Sequence, residues 1–202
     1  MRLVVASMNH DKLEELRELL AWPGVELLSL RDAPGAVAPE ENGATLLDNA
    51  RIKARAAMVL TGEAAVADDT GLEVEALEGA PGVHTARFAG PAATYAQNTD
   101  HLLARLAGVP PEQRGARFRT VCVVAFPDGR EVVTEGVLEG WITPAPRGNA
   151  GFGYDPVFEL ADRSRTLAEL TASGKHAVSH RARAVRALKS ALSAFLEPGP
   201  GP

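Results

Sequence analysis

Two adjacent carboxylates, a hydroxyl and a glycine occupy residues 68–71 (Asp-Asp-Thr-Gly), directly after the short apolar run 64–67. Such a run is typical of a buried strand, which would deliver both carboxylates to a sheet edge. Carboxylate oxygens suit Mg²⁺, which usually takes one or two of them and adds water and substrate phosphate. An Asx turn between two strands explains these residues equally well, because Asp and Gly favour turns. The tetrapeptide alone therefore leaves a metal site and an ordinary turn open.

A second polar segment, residues 7–12, lies between a predicted strand at 2–6 and a helix whose leucines share one face. The free N–H groups and the dipole at a helix N-terminus favour an anion, and Ser7, Asn9 and Lys12 would add donors. The glycines of a Walker loop are missing. Asn9 as a helix cap and Lys12 as a solvated residue form the alternative. The candidate phosphate-binding residues are Ser7, Met8, Asn9, His10, Asp11 and Lys12.

Two further groups could contribute charges. Glu40 and Glu41 lie in a polar loop, where carboxylates are ordinarily solvated. Lys53 lies on a helix predicted to begin at a Thr45-x-x-Asp48 capping box and to end near residue 62, and a lone helical lysine is usually exposed. On their own these residues predict no specific function, and they become candidate site residues only together with the acidic tetrapeptide.

Residues near the C-terminus could recognise a base. Phe152 lies between two glycines, where a large aromatic gains little from core burial but could stack on a nucleobase. Lys175, His180 and Arg181 cluster before and at the start of the last predicted helix, which suits carbonyl or phosphate oxygens. The alternative is a basic helix entry, which the helix dipole disfavours.

The predicted scaffold is an α/β fold with a mixed sheet. Segments 116–126 and 131–141, joined by Pro-Asp-Gly, form a long antiparallel hairpin. Further predicted elements are strands at 25–30 and 72–76, a rigid turn at 79–82, a helix at 94–106, and a last helix that Ser179 can cap.

Composition limits the possible functions. A chain of 202 residues suits one sizeable domain or two lobes that share a cleft, and 46% hydrophobic with 23% charged residues is ordinary for a soluble protein. The N-terminal apolar run is too short for a signal peptide, so we expect a cytosolic location. The net charge of -5 gives no general attraction for nucleic acid, and a small anion is the expected ligand. Cys122, among valines, is interpreted as a buried strand thiol.

Six polar or glycine-rich motifs occur in order along the chain: Ser7-x-Asn9-x-x-Lys12, Glu41-x-Gly43-x-Thr45-x-x-x-Asn49-Ala50-x-x-Lys53-Ala54, Asp68-Asp69-Thr70-Gly71-Leu72, Gly79-Ala80-Pro81-Gly82, Phe152-Gly153-Tyr154-Asp155-Pro156 and Ser179-His180-Arg181. In this combination and order, they resemble the inosine/xanthosine triphosphate pyrophosphatases (Ham1-like enzymes) over residues 2–196. Small departures are Met8, Asp48, Thr70 and His84, where that family often has Gly, Glu, Ser and an aromatic residue.

The resemblance implies one pyrophosphatase domain at 1–196 with a flexible tail at 197–202. It implies an elongated, two-lobed mixed sheet with flanking helices, a nucleotide cleft between the lobes, and a homodimer. The implied reaction is Mg²⁺-dependent hydrolysis of ITP, dITP and XTP to monophosphate and pyrophosphate, with neither nucleic acid nor membrane as partner. Enzymes acting on another modified nucleotide and a catalytically silent nucleotide-binding module are the alternatives. Loss of Asp69, Glu41 or Lys53 would have favoured the silent module, but all three are present.

The resemblance also implies roles for individual residues. Asp69 and Lys53 would be catalytic, and Asp69 and Glu41, with Glu40 or Asp68, would hold Mg²⁺. Thr70 would join residues 7–12 at the phosphates. Phe152 would stack on the purine, and the other base-binding residues would be Gly153, Tyr154, Asp155, Lys175, His180 and Arg181. Hypoxanthine and xanthine present an acceptor at C6 where adenine presents a donor, so donors here would leave the adenine amino group unpaired.

Overall fold

The structure is a computed structural model that describes residues 1–196, apart from the side chains of residues 194 and 196. The predicted tail at 197–202 lies outside the described residues. No helix within the described part of the chain is both long and apolar enough to cross a membrane.

Helices and strands alternate along the first part of the chain, and strands dominate the middle. The helices are α1 (His10–Leu19), α2 (Leu46–Thr61), α3 (Tyr95–Arg105), α4 (Ala172–Val178) and α5 (His180–Leu196). The strands are β1 (Arg2–Val5), β2 (Glu26–Ser29), β3 (Ala64–Val74), β4 (Pro81–Gly82), β5 (Gly115–Ala125), β6 (Glu131–Ile142) and β7 (Phe158–Leu160).

The strands form a mixed sheet in the order β2-β1-β3-β5-β6-β7, with β4 paired to β3. Strand β1 runs parallel to β2 and β3, whereas β4 is antiparallel to β3 and β7 is antiparallel to β6. A tight turn joins the neighbours β5 and β6, where the Phe126 N–H donates to the Arg130 carbonyl at 3.0 Å. The predicted mixed α/β fold and its long hairpin are confirmed.

The chain divides into two compact units, each with its own apolar core. The first unit comprises residues 1–69, 120–136 and the chain from Arg181, and the second comprises Thr70–Arg119 and Val137–His180. The first core includes Leu16, Val66 and Leu188 as well as the fully buried Cys122, which confirms the interpretation of this thiol. The second core is built around residues such as Leu102 and Phe158.

The acidic tetrapeptide lies inside one continuous strand, β3, which is flanked by β1 and β5. The turn interpretation and the separate strand at 72–76 are therefore wrong. The pairing of β3 with β1 ends at Val66, so both carboxylates follow the carboxyl end of β1. A buried strand can continue through two carboxylates only when cations compensate their charge. Arg181 contacts Asp68 and Lys53 contacts Asp69, so that condition is met.

The local sequence signals for α2 are confirmed. The Thr45 hydroxyl accepts from the Asp48 N–H and the Asp48 carboxylate accepts from the Thr45 N–H, each at 3.1 Å, which forms the predicted capping box. Gly62 ends the helix with a φ of 71°, a left-handed conformation that glycine adopts without strain. This well-defined helix fixes the position of Lys53. The short helix α4, which carries Lys175, was not predicted.

Candidate active site

Lys53 connects two acidic side chains in the first unit. Its ammonium donates to Asp69 Oδ1 at 2.7 Å and to Glu41 Oε2 at 3.3 Å. The Lys53 side chain is only 11% exposed, so the surface alternative for this lysine is wrong. Burial alone would lower the pKa of Lys53, but the charges of Asp69, Asp68 and Glu41 outweigh it and raise the pKa. The ammonium therefore stays charged between the carboxylates.

Asn49 lies one helical turn before Lys53 on the same face of α2. Its amide Nδ2 donates to Asp69 Oδ2 at 3.4 Å, and its Oδ1 accepts from the Gly43 N–H at 2.8 Å. Asn49 thus ties the loop that carries Glu41 to the helix that carries Lys53. Of the two glutamates in this loop, Glu41 reaches Lys53, whereas Glu40 is exposed.

Asp68 points to the opposite face of β3 from Asp69, as adjacent strand residues do. Its Oδ2 accepts from Arg181 Nε at 3.1 Å and from Arg181 Nη2 at 3.0 Å, and Lys12 Nζ lies 3.6 Å away. Burial acts to raise the pKa of Asp68, but Lys12 and Arg181 outweigh it and hold the pKa well below its usual range. Asp68 is therefore ionised and already bound to cations.

Glu15, on α1, binds the other side of Arg181. The Arg181 Nη1 donates to Glu15 Oε2 at 2.5 Å. Arg181 is only 2% exposed, and burial would lower its pKa, but the Asp68 and Glu15 carboxylates outweigh burial and raise it. We call the residues of this network and of the Lys53 group the charged cluster: Lys12, Glu15, Glu41, Lys53, Asp68, Asp69 and Arg181.

The segment 7–12 forms the entry to α1. Asn9 caps the helix, since its Oδ1 accepts from the Lys12 N–H at 3.1 Å, and the Ser7 hydroxyl donates to the Asn9 carbonyl at 3.3 Å. The capping role expected of Asn9 is confirmed. The solvated alternative for Lys12 is wrong, because its side chain is only 20% exposed and reaches Asp68. Burial lowers the pKa of Lys12, which Asp68 opposes.

The remaining residues of this segment are more accessible. Met8 and His10 are exposed, whereas Asp11 in the first turn of α1 is partly buried. Thr70, which belongs to the second unit, is partly buried in β3.

In the second unit, an ion pair lies beside the predicted stacking residue. Asp155 Oδ2 accepts from Lys175 Nζ at 2.6 Å and from the Phe152 N–H at 2.9 Å. The same ammonium lies 4.6 Å from the centroid of the Phe152 ring, within range of a cation–π interaction. Asp155 thus fixes both the loop backbone and the lysine next to the aromatic ring.

Other residues of the second unit support this loop. The Tyr154 hydroxyl donates to the Thr85 carbonyl at 2.9 Å, and burial raises the pKa of this phenol. Gly153 has a φ of 64°. The buried His180 stacks on Phe118 with ring centroids 4.6 Å apart. We call the following residues the aromatic cluster: Phe152, Gly153, Tyr154, Asp155, Lys175 and His180.

The structure adds two residues that the sequence did not indicate. Glu15 completes the shell around Arg181, and Tyr95 places its ring 5.8 Å from that of Phe152. Nothing in the local sequence distinguishes Glu15 from its neighbours on α1. Within residues 1–196, no three His, Cys, Asp or Glu side chains are grouped so that they could hold a metal ion.

Comparison with known proteins identifies the chain's relatives. A dITP/XTP pyrophosphatase of Corynebacterium efficiens is 48% identical over 202 aligned residues, which cover 96% of this chain and 98% of that protein. The Staphylococcus aureus Ham1 protein has a TM-score of 0.86 at 32% identity, with 96% of this chain and 100% of that chain covered. A Ham1 protein from Coxiella burnetii has a TM-score of 0.85 at 38% identity, with 96% of this chain and 99% of that chain covered. The model of the Ham1 family matches residues 3–191. This chain therefore belongs to the Ham1 family.

Proposed function

We propose that this chain is a nucleoside triphosphate pyrophosphatase that hydrolyses ITP, dITP and XTP to the monophosphate and pyrophosphate. The observation that carries the proposal is the buried Lys53 ammonium between the Asp69 and Glu41 carboxylates. A nucleoside triphosphate brings about four negative charges, which cations must offset before a nucleophile can approach phosphorus. The dITP/XTP pyrophosphatase of Corynebacterium efficiens, at 48% identity, supports the same substrate class.

The donor set fits Mg²⁺. Asp69 and Glu41 direct hard carboxylate oxygens at one cationic position, the Lys53 ammonium, and Mg²⁺ commonly uses only one or two protein carboxylates. We assign Asp69 and Glu41 as its ligands and Glu40 as the exposed neighbour. Asp68 is assigned to Arg181 and Lys12 instead. When bound, Mg²⁺ would offset phosphate charge and polarise a phosphoryl oxygen.

Asp69 is assigned as the residue that orients and deprotonates the attacking water. The water oxygen forms a bond to the α-phosphorus, the bond from that phosphorus to the α–β bridging oxygen breaks, and pyrophosphate leaves. The water proton passes to the Asp69 carboxylate. Lys53, 2.7 Å from Asp69, compensates the negative charge that gathers around the reacting phosphorus. Lys12, the Thr70 hydroxyl and the N–H groups at the start of α1 bind the phosphates.

The aromatic cluster is assigned to the base. Phe152 stacks on the purine, and His180 and Lys175 address its polar edge. A donor that faces C6 pairs with the oxygen of hypoxanthine but leaves the amino group of adenine unmatched, at a cost of about 1 to 3 kcal/mol. Asp155 contributes by holding Lys175 and the Phe152 backbone. The base contact predicted for Arg181 stays a prediction, since its guanidinium binds Asp68 and Glu15.

Three broader assignments rest on the resemblance: one pyrophosphatase domain over 1–196, a homodimer and a cytoplasmic location. They remain part of the proposal.

A product assay across ITP, XTP, dITP, GTP, ATP and dUTP, with and without Mg²⁺, tests the proposed function. We expect Mg²⁺-dependent release of pyrophosphate from ITP, XTP and dITP, and little from ATP or GTP. Release of orthophosphate, or a preference for dUTP, would instead assign the chain to another phosphate substrate. Binding of ITP without turnover would favour a silent binding module.

A further inference from the structure

A single carboxylate oxygen in the charged cluster serves two cationic side chains. Asp68 Oδ2 accepts two hydrogen bonds from Arg181, at 3.0 and 3.1 Å. The Lys12 ammonium lies 3.6 Å from the same oxygen, beyond hydrogen-bonding distance. Asp68 Oδ2 thus already accepts two hydrogen bonds from Arg181, and Lys12 forms none with this oxygen. The ammonium is held near Asp68 by charge without being locked onto it.

Glu15 sets the orientation of Arg181. A guanidinium is planar and presents its donors in a fixed fork, so a carboxylate on one edge determines where the other edge points. Glu15 takes Nη1, which leaves Nε and Nη2 directed at Asp68. The Arg181 and Glu15 side chains are 2% and 14% exposed, so water competes little for these donors.

We propose that Glu15 is a positioning residue for substrate phosphate: by anchoring Arg181 on Asp68, it keeps the Lys12 ammonium available to the triphosphate. The inference rests on the proposed function, which assigns Lys12 to phosphate. Without the Glu15 carboxylate, Arg181 loses the partner of its Nη1 and shifts. Lys12 then moves onto Asp68 Oδ2, where it is a poorer phosphate ligand.

The chain offers a matched control on the same helix. Glu14 precedes Glu15 and carries the same charge, but its side chain is 52% exposed and pairs with Arg17 at 3.1 Å. Glu14→Gln and Glu15→Gln therefore change net charge equally, and only Glu15→Gln touches Arg181. Glu15→Asp keeps the carboxylate and serves as the conservative variant.

The test is a double-variant cycle of Glu15→Gln with Lys12→Met, measured as kcat and KM for ITP and as the inhibition constant of pyrophosphate. We expect Glu15→Gln to raise KM and the inhibition constant about tenfold with kcat little changed, and Glu14→Gln to change neither. The double variant should have the same KM and inhibition constant as Lys12→Met alone. In Glu15→Asp, both constants should return most of the way to their wild-type values.

The proposal would be overturned if the increases in KM caused by Glu15→Gln and by Lys12→Met multiply in the double variant. An unchanged KM in Glu15→Gln would also overturn it. Should Glu15→Gln fail to fold, as judged by thermal unfolding, the cycle is run with Glu15→Asp, for which a smaller but still non-multiplying effect is expected. If the wild type does not hydrolyse ITP, the proposed function fails. Pyrophosphate binding by calorimetry across the same variants then tests the role of Glu15 separately.

Discussion

The charged cluster of the first unit and the aromatic cluster of the second use buried ionic groups in different ways. In the charged cluster, each of the carboxylates Asp68 and Asp69 meets cationic side chains, and the ammonium of Lys53 contacts two carboxylates. In the aromatic cluster, the ion pair of Lys175 with Asp155 lies beside a ring, and Asp155 also holds the Phe152 N–H. A network of several charges can exchange partners when a phosphate or a cation arrives, whereas an ion pair that also holds the loop backbone mainly fixes geometry.

The residues proposed to act on the reacting phosphorus, Asp69 and Lys53, and the residues of the aromatic cluster should differ in their kinetic effects. Interactions of cationic groups that become stronger as negative charge develops around phosphorus lower the activation barrier, and they therefore act on kcat. Stacking on a base is equal in the ground state and the transition state, so its loss raises KM with kcat retained. We therefore expect variants of Asp69 and Lys53 to separate from variants of the aromatic cluster in a plot of kcat against KM.

The largest effect is expected for Asp69→Asn, which removes the proposed general base. We expect kcat for ITP to fall about a thousandfold, because positioned proton acceptors contribute about 10² to 10⁴ in rate. Steady-state kinetics with ITP measure this fall, and thermal unfolding tests whether the variant keeps the fold. Asp100→Asn, at an exposed position on α3, is the charge-matched control and should behave as wild type. If Asp69→Asn kept more than about 3% of the wild-type kcat, Asp69 could not be the general base.

Phe152→Ala should produce the second largest effect, and a different one. Loss of a stacking ring costs about 1 to 3 kcal/mol per base, so KM for ITP should rise about ten- to a hundredfold with kcat nearly retained. Phe152→Tyr keeps the ring and should stay close to wild type. An unchanged KM in Phe152→Ala would contradict the stacking assignment. A fall in kcat as large as that of Asp69→Asn would break the proposed separation of the clusters.

The sequence predicted those parts of the site that depend on local signals. The capping box at Thr45 and Asp48 defines the start of α2 and thereby the position of Lys53. The apolar residues 64–67 correctly indicated a buried strand. They could not show that the strand continues through 68–71, because that depends on Arg181, which is 113 residues from Asp68 in sequence.

Long-range partners account for the rest of what sequence could not supply. Glu15 lies 166 residues from Arg181 in sequence. The sequence of α1 does not show which of its three glutamates contacts this arginine. The contacts of Asp155 likewise depend on α4, a short helix that lacks a strong periodic pattern. Residue types at the site were thus predictable, whereas the pairing of its charges was not.

The smallest effect is expected for Gly151→Ala, which tests whether Asp155 acts through geometry. Gly151 has a φ of 72°, and a Cβ there would lie 2.1 Å from Asp155 Oδ2, the oxygen that binds Lys175. Gly153 has a similar φ of 64°, but its Cβ would meet no atom within 4 Å. Both alanine variants therefore carry comparable backbone strain, of about 1 kcal/mol, and only Gly151→Ala displaces the carboxylate.

We expect Gly151→Ala to raise KM for ITP by about fivefold more than Gly153→Ala does, with equal kcat, because a displaced Asp155 releases both Lys175 and the Phe152 N–H. Kinetics of the two variants side by side, with melting temperatures to compare strain, decide the matter. Equal KM values would mean that the Lys175–Asp155 pair only supports the fold. A loss of kcat confined to Gly151→Ala would instead mean that this pair takes part in the chemical step, and the division of labour between the clusters would not hold.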